Sequence, residues 1–213
     1  MAELNDRIEI KNNRIMAHER AGNHFLMESI LLNFDTTGFH TPHELFNPKW
    51  DLAGYDIVIH MVRNGLDNLT AMYHWLSWQP ANRNSFKNAS FTAYLHGELP
   101  NTTNLKGSDP IKYWCNFVDS YFGKMYTVRY EDLKRFPVQT LEQIEKHFGL
   151  KRKHPEIKPL TKLVGHGPRK GVIGDYKTHF SKEDEEYFWS RATDTMNRYG
   201  YFREGIVDNW KEN

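Results

Sequence analysis

Residues 14–34 read RIMAHERAGNHFLMESILLNF. The opening RIMAH is a short apolar run and reads as a strand. From Gly22 onward, Phe25, Leu26, Ile30, Leu31 and Phe34 recur near helical spacing, so the second half reads as a helix. Between them His18-Glu19-Arg20-Ala21-Gly22-Asn23-His24-Phe25 forms a tight turn feeding a helix N-terminus. Unpaired N–H groups and the helix dipole favour an anion there. Gly22 allows close backbone approach, and Arg20 adds a fixed planar charge. The same residues also fit an ordinary strand-to-helix turn with a solvated arginine. The loop is not a Walker sequence, because no G-x-x-x-x-G-K-[ST] occurs in the chain.

Reading outward, residues 56–62 (DIVIHMV) are a continuous apolar, β-branched run, the pattern of a strand buried on both faces of a parallel sheet. Residues 38–40 suit a brief strand and 125–129 another. Helices are expected over 66–78, 111–122, 138–148 (ended by Gly149) and 181–199 (capped by Ser181). Residues 79–110 are rich in Asn, Ser, Thr, Gly and Pro and read as an irregular excursion with one short helix near 91–95. Residues 151–180 read as a long loop. Strands alternating with helices imply an α/β fold of three layers: a mostly parallel central sheet flanked by helices, with a P-loop-like phosphate-binding loop. Ligands in such folds bind beyond the carboxyl ends of the strands, which singles out the loops after His18, Val62 and Arg129.

Composition bounds the function. The 213 residues suit a single domain over 1–213. A formal charge of +1 argues against a generic nucleic-acid binder. No run of about 18 apolar residues exists, so no membrane span is expected. The first residues, MAELNDRIEIKNNR, lack the apolar core of a signal peptide, and Cys115 is the single cysteine. A cytoplasmic setting is the simplest expectation. The sequons at Asn68, Asn88 and Asn101 then read as chance matches. The 11 histidines include no HExxH or Cys/His pattern, so no metal is expected, and His60, inside the apolar strand, reads as structural.

Three further clusters carry charge. Arg63-Asn64-Gly65-Leu66-Asp67 follows the 56–62 strand. Arg63 there is placed for a second anionic group, or else pairs with Asp67. Tyr130-Glu131-Asp132-Leu133 follows the 125–129 strand. Its tyrosine suits contact with a ring and its carboxylates suit orienting basic groups, or else Asp132 caps a helix. Residues 151–170 hold seven Lys and Arg against one Glu, ending in Arg169-Lys170-Gly171. Such a run is either a solvated face or a basic lid over a phosphate.

Together these residues resemble the sulfotransferase family, which uses 3′-phosphoadenosine 5′-phosphosulfate (PAPS) as donor and releases PAP. HERAGNHFL looks like the family's Y-P-K-S-G-T-T-W-L loop, and VRNGLDNLTAMYH like its V-R-N-P-K-D-V-A-V-S-Y-Y-H segment. VRYEDL is similar to R-Y-E-D-L, and PRKGVIGDYKTHFS to R-K-G-x-x-G-D-W-K-N-H-F-T. The motifs stand in family order from about Arg14 to Tyr201, and the likeness is weakest over 77–112.

The resemblance implies a PAPS-dependent transferase. Arg20 stands where the family has its catalytic lysine. Ala21, Gly22, Asn23 and His24 would line the 5′-phosphate turn, and Phe25 would replace the tryptophan that packs on adenine. Arg63, with Thr70 and Ala71 near the serine position, would take the 3′-phosphate; Arg169, Lys170 and Gly171 would close from the other side, and Tyr130 would face the adenine. His40, in Phe39-His40-Thr41-Pro42, stands for the catalytic histidine of T-H-x-P, with His43 as rival. The general base would take a proton from an acceptor hydroxyl or amine, with in-line sulfuryl transfer as in phosphoryl chemistry. The acceptor, a small molecule, lipid or carbohydrate, would sit over residues 77–112, where Trp75, Trp78, Tyr94, Tyr113 and Trp114 either stack on it or belong to the core. The pattern departs at Arg20, at Asn23-His24 for Thr-Thr, at Gly65-Leu66 for Pro-Lys, at Ala71 for Ser and at Tyr176 for Trp. Those departures admit a second reading, a weakened PAP-binding module; a P-loop-like nucleotide kinase is a third. Trp210 would be an exposed contact in a homodimer.

Overall fold

The computed structural model describes residues 13–50, 52, 54–86, 88–99, 109–161, 171–208 and 210. Its sheet has four parallel strands: β1 (Asn13–Ala17), β2 (Phe39–His40), β3 (Val58–Val62) and β4 (Tyr126–Arg129), in the order β2-β1-β3-β4. Among the described residues, eight α-helices surround it: α1 (Asn23–Asn33), α2 (Gly65–Trp78), α3 (Arg83–Phe86), α4 (Phe91–Leu95), α5 (Pro110–Tyr121), α6 (Tyr130–Arg135), α7 (Pro137–Phe148) and α8 (Lys182–Arg198). A small hairpin, β5 (Tyr201–Phe202) with β6 (Gly205–Ile206), follows. The parallel sheet expected from the apolar runs is therefore present, flanked by helices. The helices α3 and α6 and the hairpin are additions, as are 3-10 turns over Pro80–Asn82 inside the expected irregular excursion and over Asp175–Thr178 inside the expected long loop.

The central strand β3 is apolar apart from His60 because both its faces are covered. Side chains alternate across the sheet. Ile15, Ala17, Ile59, Met61 and Val128 face a core shared with Leu26 and Ile30 of α1 and Leu141 and Ile144 of α7. Met16 and Val62 face the opposite core, built with Leu69 and Met72 of α2, Trp114 and Phe117 of α5, and Phe188 and Met196 of α8. His60 also lies inside, stacked on Tyr121 with ring centroids 5.0 Å apart. Burial drives its pKa down to about 3, so it is neutral and structural.

Local chemistry sets the helix ends. The Asn64 side chain accepts from the Leu66 N–H at 3.0 Å and starts α2. Asp109 caps α5 and Pro110 occupies its first turn. Gly149, in the left-handed region, ends α7. Ser181 and Asp184 form a reciprocal capping box at α8. Gly65 is required by close approach: a Cβ there would lie 2.7 Å from Phe188 and 2.9 Å from Trp114. That packing explains why glycine replaces the proline of the resembling segment.

The register decides where function gathers. Ala17 pairs with Met61, and Val62 pairs with Arg129. The carboxyl ends of β1, β3 and β4 thus end together, and the segments beginning at His18, Arg63 and Tyr130 meet at one edge. Trp210 is half-buried against Tyr199 and lies beneath the Arg129 guanidinium, so it is not the exposed contact expected for a dimer.

Candidate active site

A cleft opens at this edge, lined by Arg20, Gly22, Asn23, His24, Phe25, Arg63, Ala71, Tyr130, Gly171 and Asp175. The first wall is the β1–α1 turn. Arg20 has φ 66 and Gly22 φ 103, two left-handed residues that fold the chain back into α1. Arg20 is the one described non-glycine residue with positive φ, a local cost of about 1–3 kcal/mol that the surrounding contacts must offset. A Cβ on Gly22 would run into the Tyr130 ring, so the turn and the ring can lie this close only with glycine. No side chain caps α1, so its first N–H groups remain available at the cleft.

Arg63 forms the second wall and is 5% exposed. Its Nη1 donates to the Arg20 carbonyl at 3.3 Å and its Nη2 to the Val172 carbonyl at 3.1 Å. The guanidinium lies 4.8 Å above the centre of the Tyr130 ring. Burial, then the charge of Arg63, lowers the pKa of Arg20, which remains cationic because a guanidinium titrates so high. Neither arginine has a carboxylate partner among the described residues. Two convergent guanidinium groups with no ion-pair partner among the described residues make a site for anionic oxygen.

The third wall is aromatic. Phe25 and Tyr130 meet edge to face at 6.1 Å, and Lys134 lies 4.6 Å over the Phe25 ring. The Tyr130 hydroxyl donates to the Gly171 carbonyl at 2.7 Å, fixing the start of the segment that closes the cleft. Burial raises the Tyr130 pKa, so it stays a neutral donor. Glu131, fully buried, accepts from the Asn64 N–H at 3.0 Å and from the Tyr201 hydroxyl at 2.7 Å. It braces the Arg63-Asn64 turn from behind. Asp132 does not cap a helix; it holds Arg129 through two 2.8 Å bonds.

Several expected site residues are brought together and some are not. Thr70 is buried in α2 and its hydroxyl donates to the Leu66 carbonyl at 2.9 Å, so it does not face the cleft, whereas Ala71 does. His40 pairs with Arg14, near the beginning of β1, and is exposed. His43 lies three residues further along and its Nδ1 donates to the carbonyl of Ala17 at 2.6 Å, at the carboxyl edge. The structure thus carries the rival histidine, not His40, to the edge beside the Arg20 turn. Arg169 and Lys170 lie outside the described residues; Gly171 is at the cleft. In the rest of the basic run, Arg152 is bound by Glu145 at 2.6 Å and Lys153 by the Leu31 carbonyl at 2.8 Å, so those charges belong to the fold.

The pairing of Arg63 with Asp67 is not formed. Asp67 instead accepts from the backbone N–H of Gly174 at 2.7 Å and of Tyr176 at 3.0 Å. It is the anchor for the closing segment, a role sequence spacing did not give it. A buried aspartate in the first turn of α2 facing a Gly-Asp-Tyr turn more than 100 residues away leaves no periodic signal. Among the expected acceptor aromatics, Trp114 and Tyr94 are core, Tyr113 and Trp75 are half-buried, and Trp78 is 68% exposed.

Comparison with known proteins places the fold. No protein-family model matches the chain, and no curated protein matches it. Among solved structures, the crystal structure of mouse sulfotransferase SULT7A1 complexed with PAP superposes with a TM-score of 0.59 at 16% identity. The match covers 87% of this chain and 84% of the mouse protein. The chain has the sulfotransferase fold, a parallel four-stranded sheet flanked by helices. Among the described residues no helix is long and apolar enough to cross a membrane, and no group of three or more His, Cys, Asp or Glu is arranged to hold a metal ion.

Proposed function

We propose that the protein is a sulfotransferase that moves the sulfuryl group of PAPS to a hydroxyl or amine. The observation that carries this reading is the meeting of Arg20, Gly22, Arg63 and Tyr130 in one cleft at the ends of three parallel strands. The residues fit the donor. The uncapped N-terminus of α1, with Arg20, suits a 5′-phosphosulfate. Arg63 suits the 3′-phosphate, and Phe25 with Tyr130 suits a flat base. Arg169 and Lys170 would add charge from the closing segment.

The donor supplies an activated sulfuryl group whose leaving group is an anionic phosphate. Arg20 and the α1 N–H groups neutralise charge that grows on that phosphate as the bond to sulfur breaks. Arg20 acts through charge alone, since guanidinium does not give up a proton near neutral pH. His43 is the better-placed base. Its Nδ1 carries the hydrogen bonded to the Ala17 carbonyl, so Nε2 holds the free lone pair that accepts the acceptor's proton. Positioning of the two reactants contributes about 7–11 kcal/mol in reactions of this kind.

A second reading, binding of PAP without transfer, draws on Ala71 and on the Thr70 hydroxyl being spent inside α2. Labelled PAPS offered with a panel of phenols, alcohols and amines separates the two. Sulfated product supports the transferase, and nucleotide binding with no product on any acceptor supports the module.

A further inference from the structure

We propose that the acceptor side of this cleft reads a protonated amine, and that Glu19 is the residue that reads it. The proposal rests on the sulfuryl-transfer reading and narrows its acceptor class. It starts from a group of polar atoms that the donor site does not use. At the end of β1 the chain presents Arg20 to the cleft, while the Glu19 side chain turns toward α4 and α5. Oε1 of Glu19 receives the Tyr113 hydroxyl at 3.5 Å, a long contact, and Oε2 has no hydrogen bond although it is buried. The side chain as a whole is 14% exposed.

Its neighbours leave further capacity unused. His18 is 1% exposed; its Nδ1 donates to the Glu19 carbonyl at 2.9 Å, and the Asn68 side chain lies against the ring. Burial lowers the pKa of His18 against the pull of Glu19, so the imidazole is neutral and Nε2 is an acceptor. The 3.8 Å approach of His18 to Glu19 is therefore no ion pair, and no other cation pairs with Glu19 among the described residues. The Tyr94 hydroxyl is buried without a partner, and burial followed by the negative charge of Glu19 raises the pKa of both Tyr94 and Tyr113.

Buried polar atoms without partners cost about 1–3 kcal/mol each, and native structures hold few of them. Here the Glu19 Oε2, a buried acceptor, lies 3.8 Å from the His18 ring, beside His43 and the Arg20 turn. A neutral hydroxyl would offer it one hydrogen and no charge. An ammonium offers three hydrogens and neutralises the carboxylate. The rings of Tyr113 and His18, 5.1 Å apart, form the aromatic wall beside it.

The test is titration calorimetry on the PAP-loaded protein with matched probes: tyramine against 4-ethylphenol, and 5-aminopentanol against 1-hexanol. The expected result is that at least one amine binds at least about tenfold tighter than its neutral partner, as a charge-assisted hydrogen bond implies. In Glu19→Gln that preference collapses, and in Glu19→Asp, which keeps the charge, most of it survives. If Glu19→Gln does not fold, as judged by lost PAP binding, the wild-type probe pairs carry the test alone. Equal binding of amine and neutral probes, no binding of either amine, or an unchanged preference in Glu19→Gln overturns the proposal. Failure of PAP itself to bind is a separate result that refutes the nucleotide reading; the same probe titrations on the protein alone then decide the role of Glu19.

Discussion

At the scale of the residue, Arg63 is the most informative side chain. It is buried, bonds two backbone carbonyls and faces Arg20 without a carboxylate between them. Arg63→Ala is expected to weaken PAP by about 10–100-fold, the loss typical of a charge-assisted hydrogen bond, and to weaken adenosine 5′-phosphosulfate much less. Equal losses for the two nucleotides, measured by calorimetry, would remove Arg63 from the 3′-phosphate. The histidines give a second residue-scale test. His43→Ala is expected to slow transfer by about 10²–10⁴-fold with PAP affinity retained, while His40→Ala has little effect. Single-turnover kinetics with labelled PAPS reads both, and the reverse ranking would return the base to His40.

Elements show what was legible and what was not. The β1–α1 unit and the β3–α2 unit were readable because buried parallel strands are continuous apolar runs and their helices carry apolar residues near a 3.6 spacing. The short helix α6 was missed because its six residues span fewer than two turns, and its terminus is set by Arg129 gripping Asp132. The position of Asp67 was legible and its partner was not, since Gly174 and Tyr176 are remote in sequence. Asp67→Ala is expected to lower stability by about 1–3 kcal/mol and to loosen PAP as well, because two backbone donors lose their acceptor. Thermal melts with and without PAP check this, and a variant as tightly liganded as the wild type would detach the segment from binding.

His60 in β3 makes an acid-stability prediction. It is neutral when folded, with a pKa near 3, and takes a proton near 6.5 when unfolded. Below 6.5 the unfolded chain therefore binds more protons than the folded one, so stability falls as the pH drops. The contribution amounts to about 2 kcal/mol between pH 7 and pH 5. Buried His18, also lowered, acts in the same direction. Urea unfolding at the two pH values is expected to show a smaller difference in His60→Phe than in the wild type; identical differences would mean that His60 is solvated or protonated in the folded state.

For the whole molecule, the likeness to a mouse sulfotransferase at 16% identity shows that two sequences differing at most positions share this fold. In this chain the register brings three strand ends level, and a small set of charged and aromatic side chains lies beyond them. The proposed acceptor side is the least legible part of the sequence. Its features come from turns and isolated side chains such as Glu19 and Tyr113, which have no period and meet only after the sheet is assembled.

The central claim is that one cleft grips a nucleotide by two phosphates. Calorimetric titration of the wild-type protein with PAP and with adenosine 5′-monophosphate tests it most directly. The account predicts that PAP binds at one site per chain, at least about tenfold tighter than the monophosphate. Equal affinities, or no heat with PAP, would contradict it.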